Sequence, residues 1–324
     1  MIVDTRGVSP PADKPFRILS LDGGGAKGFY TLGVLHEIES LVEKPLSSCF
    51  DLIFGTSTGA IIGALLARGD RVSAILQTYQ KHVPTIMKPR FTPTRTKALR
   101  SLARSVFGDD RLESFKTLVG IVATNWVDEK PFIFKTSVNL AHASKGSFQP
   151  FFGISVADAI ISSCSAYPFF SPHTVKKGNG DTVDLADGGF CANNPTLYAI
   201  ADATSALGIA RRDLRIVNVG VGSYPRPSFL RRNLRHVMDA PLLRHVPNSD
   251  FLQRVLDTNA RSMEILGKLL FKDVSILRIS ETFSEPHLAT DLLEHNLRKL
   301  DQLTQKGRQS FGEYEGQLKE YLLG

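Results

Sequence analysis

Phe50-Asp51-Leu52-Ile53-Phe54-Gly55-Thr56-Ser57-Thr58-Gly59, followed by Ala60-Ile61-Ile62-Gly63-Ala64-Leu65-Leu66-Ala67, reads as a buried strand, a tight turn and a helix. Glycines two positions either side of Ser57 allow the sharp bend that lifts a hydroxyl out of the backbone. The helix that follows aims its first amides and its dipole at that hydroxyl. This is the pattern of a nucleophile elbow. A plainer reading makes Ser57 a glycine-flanked helix cap, and G-x-S-x-G alone is common by chance. The rest of the chain has to supply the other parts of a site.

Upstream, Phe16-Arg17-Ile18-Leu19-Ser20-Leu21 reads as a strand, and Asp22-Gly23-Gly24-Gly25-Ala26-Lys27-Gly28 as a glycine turn. It leads into a helix whose apolar face is Phe29, Leu32, Leu35, Ile38, Leu41 and Val42. Strand, turn, helix, strand is a βαβ unit, which implies a parallel sheet covered by helices. Both glycine turns then lie at the carboxyl ends of the strands, where such sheets build sites. A phosphate-binding loop is the competing reading of the first turn. Against it, Lys27 precedes Gly28 and Phe29 follows, whereas a Walker A loop needs Lys then Ser or Thr after its last glycine. A dinucleotide fingerprint would want an acid about 20 residues on, where this chain has the elbow. Amides aimed at a developing oxyanion fit the turn better.

Downstream, residues 71–82 continue as a helix, and then the composition changes. From Arg71 to Gly108 there is no Asp or Glu, while Arg90, Arg95, Lys97, Arg100 and Arg104 are interleaved with apolar residues. Prolines 84, 89 and 93 are expected to break regular structure. Such an insertion, about 83–110, suggests a cap or lid that meets anions; a solvated basic surface helix is the plainer reading. Polymeric nucleic acid is not expected, because no nucleic-acid-binding fold signature accompanies the charge. Residues 121–124 and 132–136 read as strands, and Val156 to Ala166 as a helix of small residues. Tyr167-Pro168-Phe169-Phe170 either pack in the core or line an acyl pocket. Val183-Asp184-Leu185-Ala186-Asp187-Gly188-Gly189 is a strand ending in an acid at a glycine turn, placed to reach Ser57. A helix over 196–206, a strand over 215–219, a second basic segment with Arg231, Arg232 and Arg235, an amphipathic helix ending near 270 and a strand over 274–279 follow. One helix carrying Leu292, Leu297, Leu300 and Leu303 and another carrying Phe311, Tyr314, Leu318 and Tyr321 complete the chain. No repeat or linker interrupts it, so one domain over 1–324 is expected, with a second basic helical segment about 225–272.

The bulk numbers set outer limits. The chain has 324 residues, 42% hydrophobic, with 39 Lys and Arg against 32 Asp and Glu, a net charge of +7. It can bury a sizeable core, and its charge favours an anionic partner. Cys49, Cys164 and Cys191 have neither metal nor disulfide spacing, so no metal site is expected and a reducing compartment is. Residues 1–14 lack the apolar core of a signal peptide, and the longest apolar run, residues 60–67, is far short of a membrane span. A cytoplasmic protein, peripheral to a membrane when active, is expected.

A serine nucleophile needs a base. His245, His287 and His295 follow Asp187, but none has a sequence context that singles it out, and a Ser57–Asp187 dyad is the alternative. A free Asp titrates near 3.9 and is a weak base at neutral pH; burial beside an acyl channel would raise that value.

The three motifs Asp22 to Gly28, Gly55 to Gly59 and Asp187 to Gly189, in that order and at those separations, resemble the patatin-like phospholipase family. The resemblance implies an α/β, three-layer patatin-like fold with a mainly parallel central sheet. It implies Ser57 as nucleophile, Asp187 as base, Gly23, Gly24 and Gly25 as oxyanion donors, and Gly28, Gly55, Gly59, Gly188 and Gly189 as motif glycines. Further stretches, including Phe271-Lys272-Asp273 and Ala289 to Glu294, are similar to the CapV-type effector phospholipases of bacterial CBASS anti-phage systems. By that resemblance no cofactor is needed, a cyclic di- or oligonucleotide is the activator, membrane phospholipid is the substrate, and copies assemble into homo-oligomers on activation. Lipid headgroup and nucleotide phosphate then compete as partners for the arginines. An ungated lipid acyl hydrolase and a catalytically silent nucleotide-binding module are the alternatives.

Overall fold

The structure is a computed structural model describing residues 14–137, 140, 154–176, 180–225 and 249–324. The chain begins β1 (Phe16–Leu21), glycine turn, α1 (Gly28–Val42), β2 (Leu52–Thr56), α2 (Thr58–Arg68). Next come α3 (Val72–Met87) and α4 (Thr92–Phe107), then β3 (Leu118–Asn125) and β4 (Lys130–Lys135). After α5 (Val156–Ser163), strands β5 (His173–Lys176) and β6 (Thr182–Asp187) lead to the short α6 (Gly189–Ala192) and α7 (Thr196–Ala201). The chain ends with β7 (Leu214–Val219), α8 (Ser249–Leu270), β8 (Ser275–Ile279) and α9 (Leu297–Leu323).

Strands run in the order β5-β6-β3-β2-β1-β7-β8, with β4 also paired to β3. β8, β7, β1, β2 and β3 are parallel. Alternation sorts the side chains: Leu19, Leu21 and Ile53 join the core beneath α1 and α2, whereas Phe16, Ile18, Leu52 and Phe54 join the one beneath α7. All seven are buried. A strand buried on both faces reads as a continuous apolar run, which is why β1 and β2 stand out in the sequence.

β3 does the work of closing the site. Its first five residues pair with β2, Thr56 lying opposite Val122, and its last three pair antiparallel with β6, Asp187 lying opposite Ala123. β4 pairs with Gly120 to Asn125 and so takes the other edge of β3. β2 and β6 therefore share one edge and meet end to end. Ser57 follows Thr56 directly, so the ladder itself brings the elbow to Asp187.

Two sequence expectations are corrected. Pro84 lies inside α3 and Pro93 in the first turn of α4, so of the three prolines it is Pro89 that falls in the break between the helices. The first turn of a helix accepts proline. Pro84 costs about 3 kcal/mol in a helix interior, but it stands near the end of α3 and the helix continues by burying Val83 and Ile86. The last two expected helices are one, α9, capped by the Asn296 side chain, and Leu292 lies outside it. The helix expected over 196–206 is present over that span, α-helical to Ala201 and continuing as a π-helix, Asp202–Ala206, that carries Asp202 to the buried Lys135 at 2.7 Å. β5 was not legible, being four residues long with alternate residues exposed.

Candidate active site

Ser57 has φ 53° and ψ −121°, a conformation that L residues avoid and that nucleophile elbows adopt. The turn needs both flanking glycines: a methyl on Gly55 would collide with the Gly59 carbonyl, and one on Gly59 with the Leu21 carbonyl. The strained backbone is held from the side. The Ser57 N–H donates to Ser163 Oγ at 2.9 Å, and the Ser163 hydroxyl donates to the Val122 carbonyl at 2.5 Å. α2 starts at Thr58, with its N-terminus at the nucleophile.

The same turn of α5 holds the acid. The Asp187 N–H donates to the Ser165 carbonyl at 3.0 Å and the Gly188 N–H to the Ser163 carbonyl at 3.3 Å. Asp187 Oδ1 accepts the Gly189 N–H at 2.7 Å. The side chain is 1% exposed. Burial pushes its pKa up to about 6, while hydrogen bonds from Gly189 and the Ser57 side chain pull the other way. It is therefore mostly ionised at neutral pH, yet far more basic than a solvated aspartate. Gly188 packs on the Val122 carbonyl, where a side chain would strike backbone, and Gly189 packs on the Leu256 side chain.

The glycine turn divides its amides. The Gly23 N–H donates to the Asn193 carbonyl at 2.9 Å and the Ala26 N–H to the Leu292 carbonyl at 3.0 Å. Gly23 is therefore already committed and is not free to donate to an oxyanion, a correction to the expectation. The Gly24 and Gly25 amides donate to no group among the described residues, and both glycines line one cavity with Ser57 and Asp187. Gly25 has φ +57°, and a Cβ there would sit 2.5 Å from the Leu292 carbonyl oxygen. Gly28 packs against Thr58 at the start of α1. Asp22 is structural: Asn218 Nδ2 reaches one oxygen at 2.9 Å and Arg278 Nη2 the other at 2.8 Å.

The cavity is lined almost entirely by apolar groups. Ser57 and Asp187 form part of its wall, together with Ile86 of α3, Leu99, Leu102 and Phe107 of α4, and Ile160 of α5. Phe169 and Phe170 line it too, so these aromatics serve the pocket as well as the core. A slot of this character suits a hydrocarbon chain. His82 also lines it, its pKa lowered chiefly by burial, but it makes no hydrogen bond to Ser57 among the described groups. His287 and His295 are exposed, and His245 lies outside the described residues.

The cationic residues fall into two settings. The Arg95 guanidinium stacks over the Phe169 ring at 5.6 Å, and Arg90 is exposed in the turn before α4. Lys97, Arg100 and Arg104 line a groove on α4 with Thr96 and Ser171. Helical spacing sets that groove opposite Leu99, Leu102 and Ala103, so one face of α4 is basic and the other walls the cavity. Arg231, Arg232 and Arg235 lie outside the described residues.

Two parts of the site escaped the sequence. Ser163 is 106 residues from the elbow it holds, and Leu292 sits against a glycine turn more than 260 residues away. The one signal for Ser163 was a run of small residues, Ser162 to Ser165, at the end of a mostly apolar helix.

An elbow serine, a buried aspartate and a glycine turn around an apolar cavity define a lipid acyl hydrolase site. Residues 19–200 match the family described as patatin-like phospholipase, and the chain belongs to that family. It is 52% identical over 313 residues to the cUMP-AMP-activated phospholipase of Escherichia coli, covering 96% of this chain and 95% of that protein. It is 31% identical over 238 residues to the cGAMP-activated phospholipase of Vibrio cholerae, covering 63% of each chain. Patatin-like protein 1 of Arabidopsis thaliana is 28% identical over 254 residues, covering 64% of this chain and 59% of that one.

Proposed function

We propose that this protein is a phospholipase that cleaves acyl esters of membrane phospholipids through a Ser57–Asp187 dyad, and that a cyclic nucleotide switches it on in anti-phage defence. The observation that carries the chemistry is the meeting of Ser57, the buried Asp187 and the Gly24 and Gly25 amides in the wall of one apolar cavity.

The acyl chain lies in the cavity with its ester carbonyl at Ser57. Asp187 takes the proton as Ser57 Oγ attacks the carbonyl carbon, and the oxyanion that forms accepts from Gly24 and Gly25. Asp187 returns the proton to the departing alcohol, leaving an acyl ester on Ser57. Water then attacks that ester while Asp187 again takes a proton, and its return to Ser57 Oγ frees the fatty acid. Burial serves this cycle twice, raising the basicity of Asp187 and keeping bulk water from competing.

For the activator, the relative that matches 96% of this chain is activated by cUMP-AMP, which supports a cyclic dinucleotide here. The groove of Lys97, Arg100 and Arg104 offers its phosphates three cations, on the helix whose opposite face walls the cavity. Binding there would bias the position of α4 and so the access of a lipid to Ser57.

The test is hydrolysis of phospholipid vesicles by the purified protein across a panel of cyclic di- and trinucleotides, with light scattering to follow assembly of copies. Fatty acid release that one nucleotide stimulates is the expected outcome. Equal rates with every nucleotide and with none would leave an ungated hydrolase; no turnover anywhere would leave a silent binding module.

A further inference from the structure

The wall of the cavity runs out to a group of exposed, large apolar side chains. Met87, Ala166 and Phe169 line the cavity. Just beyond them in the chain, Phe91 is 75% and Tyr167 50% exposed. Thr92 Oγ1 donates to the Pro168 carbonyl at 2.7 Å, so the start of α4 lies beside the turn that carries Tyr167. Trp126 completes the group, its ring 5.7 Å from that of Tyr167 and 5.4 Å from that of Phe190. Its neighbour Val127 is 71% exposed. The start of α4 and the turn of Tyr167 thus lie side by side near the cavity, with the Trp126 ring against Tyr167 and Val127 next to it in the chain.

Exposed apolar residues scattered singly need no explanation, but a gathered set marks a contact. The composition of this one is specific. Trp and Tyr carry a ring for the acyl region and a polar atom for the headgroups, the balance found where proteins meet a bilayer surface. Exposed Lys88 and Arg90 stand just before Phe91, in a stretch with no acid from Arg71 to Gly108. On the far side, Asp128 is paired with Lys130 at 2.9 Å, and Glu129 remains beside it. Among the described residues no helix is long and apolar enough to cross a membrane, so any lipid contact made by these elements is superficial.

We infer that Phe91, Trp126, Val127 and Tyr167 form the surface by which this protein docks on an anionic phospholipid bilayer, with Lys88 and Arg90 meeting headgroup phosphates. Docking here sets the cavity against the leaflet, so a lipid tail passes into it without crossing water. The inference rests on the reading of the cavity as an acyl site.

Trp126 is the single tryptophan of the chain, so it reports on its own insertion. The experiment uses the full chain carrying Ser57→Ala, which cannot consume the vesicles, with phosphatidylglycerol–phosphatidylethanolamine vesicles, with and without cUMP-AMP. The emission of Trp126 is expected to shift to the blue and to be quenched by brominated acyl chains. Phe91→Asp with Val127→Asp is expected to weaken vesicle sedimentation at least tenfold. Phe91 is the N-cap of α4, a position that favours Asp, so this charge does not threaten the helix. In the Ser57 background the same pair is expected to lose vesicle hydrolysis by a similar factor while a water-soluble short-chain ester turns over as before.

Unshifted tryptophan emission on bound vesicles would overturn the inference. So would undiminished sedimentation of the double variant, or the finding that the pair abolishes self-association of the chain and leaves vesicle binding intact. Failure of the hydrolase reading shows elsewhere, as an absence of turnover of the soluble ester by the unsubstituted protein.

Discussion

Asp187 is where the chemistry and the stability of this protein meet. Its pKa of about 6 stands above the ordinary value of 3.8 because burial penalises the carboxylate. The base must be ionised, so kcat/KM for a soluble ester is expected to rise with pH through a midpoint near 6 and then level, as measured by initial rates. For stability the sign is the opposite. The folded state holds this proton more tightly than the unfolded state does, so the carboxyl favours folding below about pH 4 and that contribution is lost as the pH rises through 6. Asp187→Asn removes a buried charge while keeping an oxygen for the Gly189 amide. It is expected to raise the melting temperature at pH 8, by up to about 3 kcal/mol in stability, and to leave it nearly unchanged at pH 4. Ser57 and Asp187 were legible in the sequence because each is fixed by glycines two residues away or nearer. Their supports were not: Ser163 and Leu292 act across chain separations that short motifs do not encode. The committed amide of Gly23 was hidden for the same reason, since its acceptor is Asn193.

The elements divide similarly. β1, β2, α1 and α2 follow from apolar runs and glycine punctuation, whereas the boundaries that failed involve tertiary contacts. Pro84 is carried through α3 because Val83 and Ile86 are buried, and α9 runs straight past Gly307, where a side chain would strike the Tyr30 carbonyl of α1. Of the elements, α4 bears most on the proposed control. Its inner face shapes the substrate, so Ala103→Leu, which projects into the cavity, is expected to cut the rate on long-chain esters about tenfold relative to short-chain ones. The outer face answers to charge. Lys97→Glu with Arg100→Glu is expected to weaken nucleotide activation of vesicle hydrolysis tenfold or more and to spare the unstimulated rate on a soluble ester. Dose–response curves with cUMP-AMP distinguish this from a general loss of fold. Undiminished activation would return the groove to a solvated basic surface.

At the scale of the whole molecule, the sheet order gives the proposed dyad its geometry. β2 and β6 approach one another along a single edge of β3, so nucleophile and base arrive from opposite directions at adjacent ladder positions. The expectation of a shared sheet edge was correct in placing Asp187 near Ser57, but the sequence does not show that β6 runs antiparallel to β3. With Asp187 delivered by the ladder and made more basic by burial, the proposed dyad needs no histidine to bridge the gap. Lipid cleavage then depends on access to Ser57 through a cavity walled by α3, α4 and α5. The most direct measurement compares fatty acid release from phospholipid vesicles by the unsubstituted protein, Ser57→Ala and Asp187→Asn, each with saturating cUMP-AMP and folded by circular dichroism. Loss of at least about 10³-fold in both variants is expected; turnover in Asp187→Asn within tenfold of the unsubstituted protein would contradict the dyad.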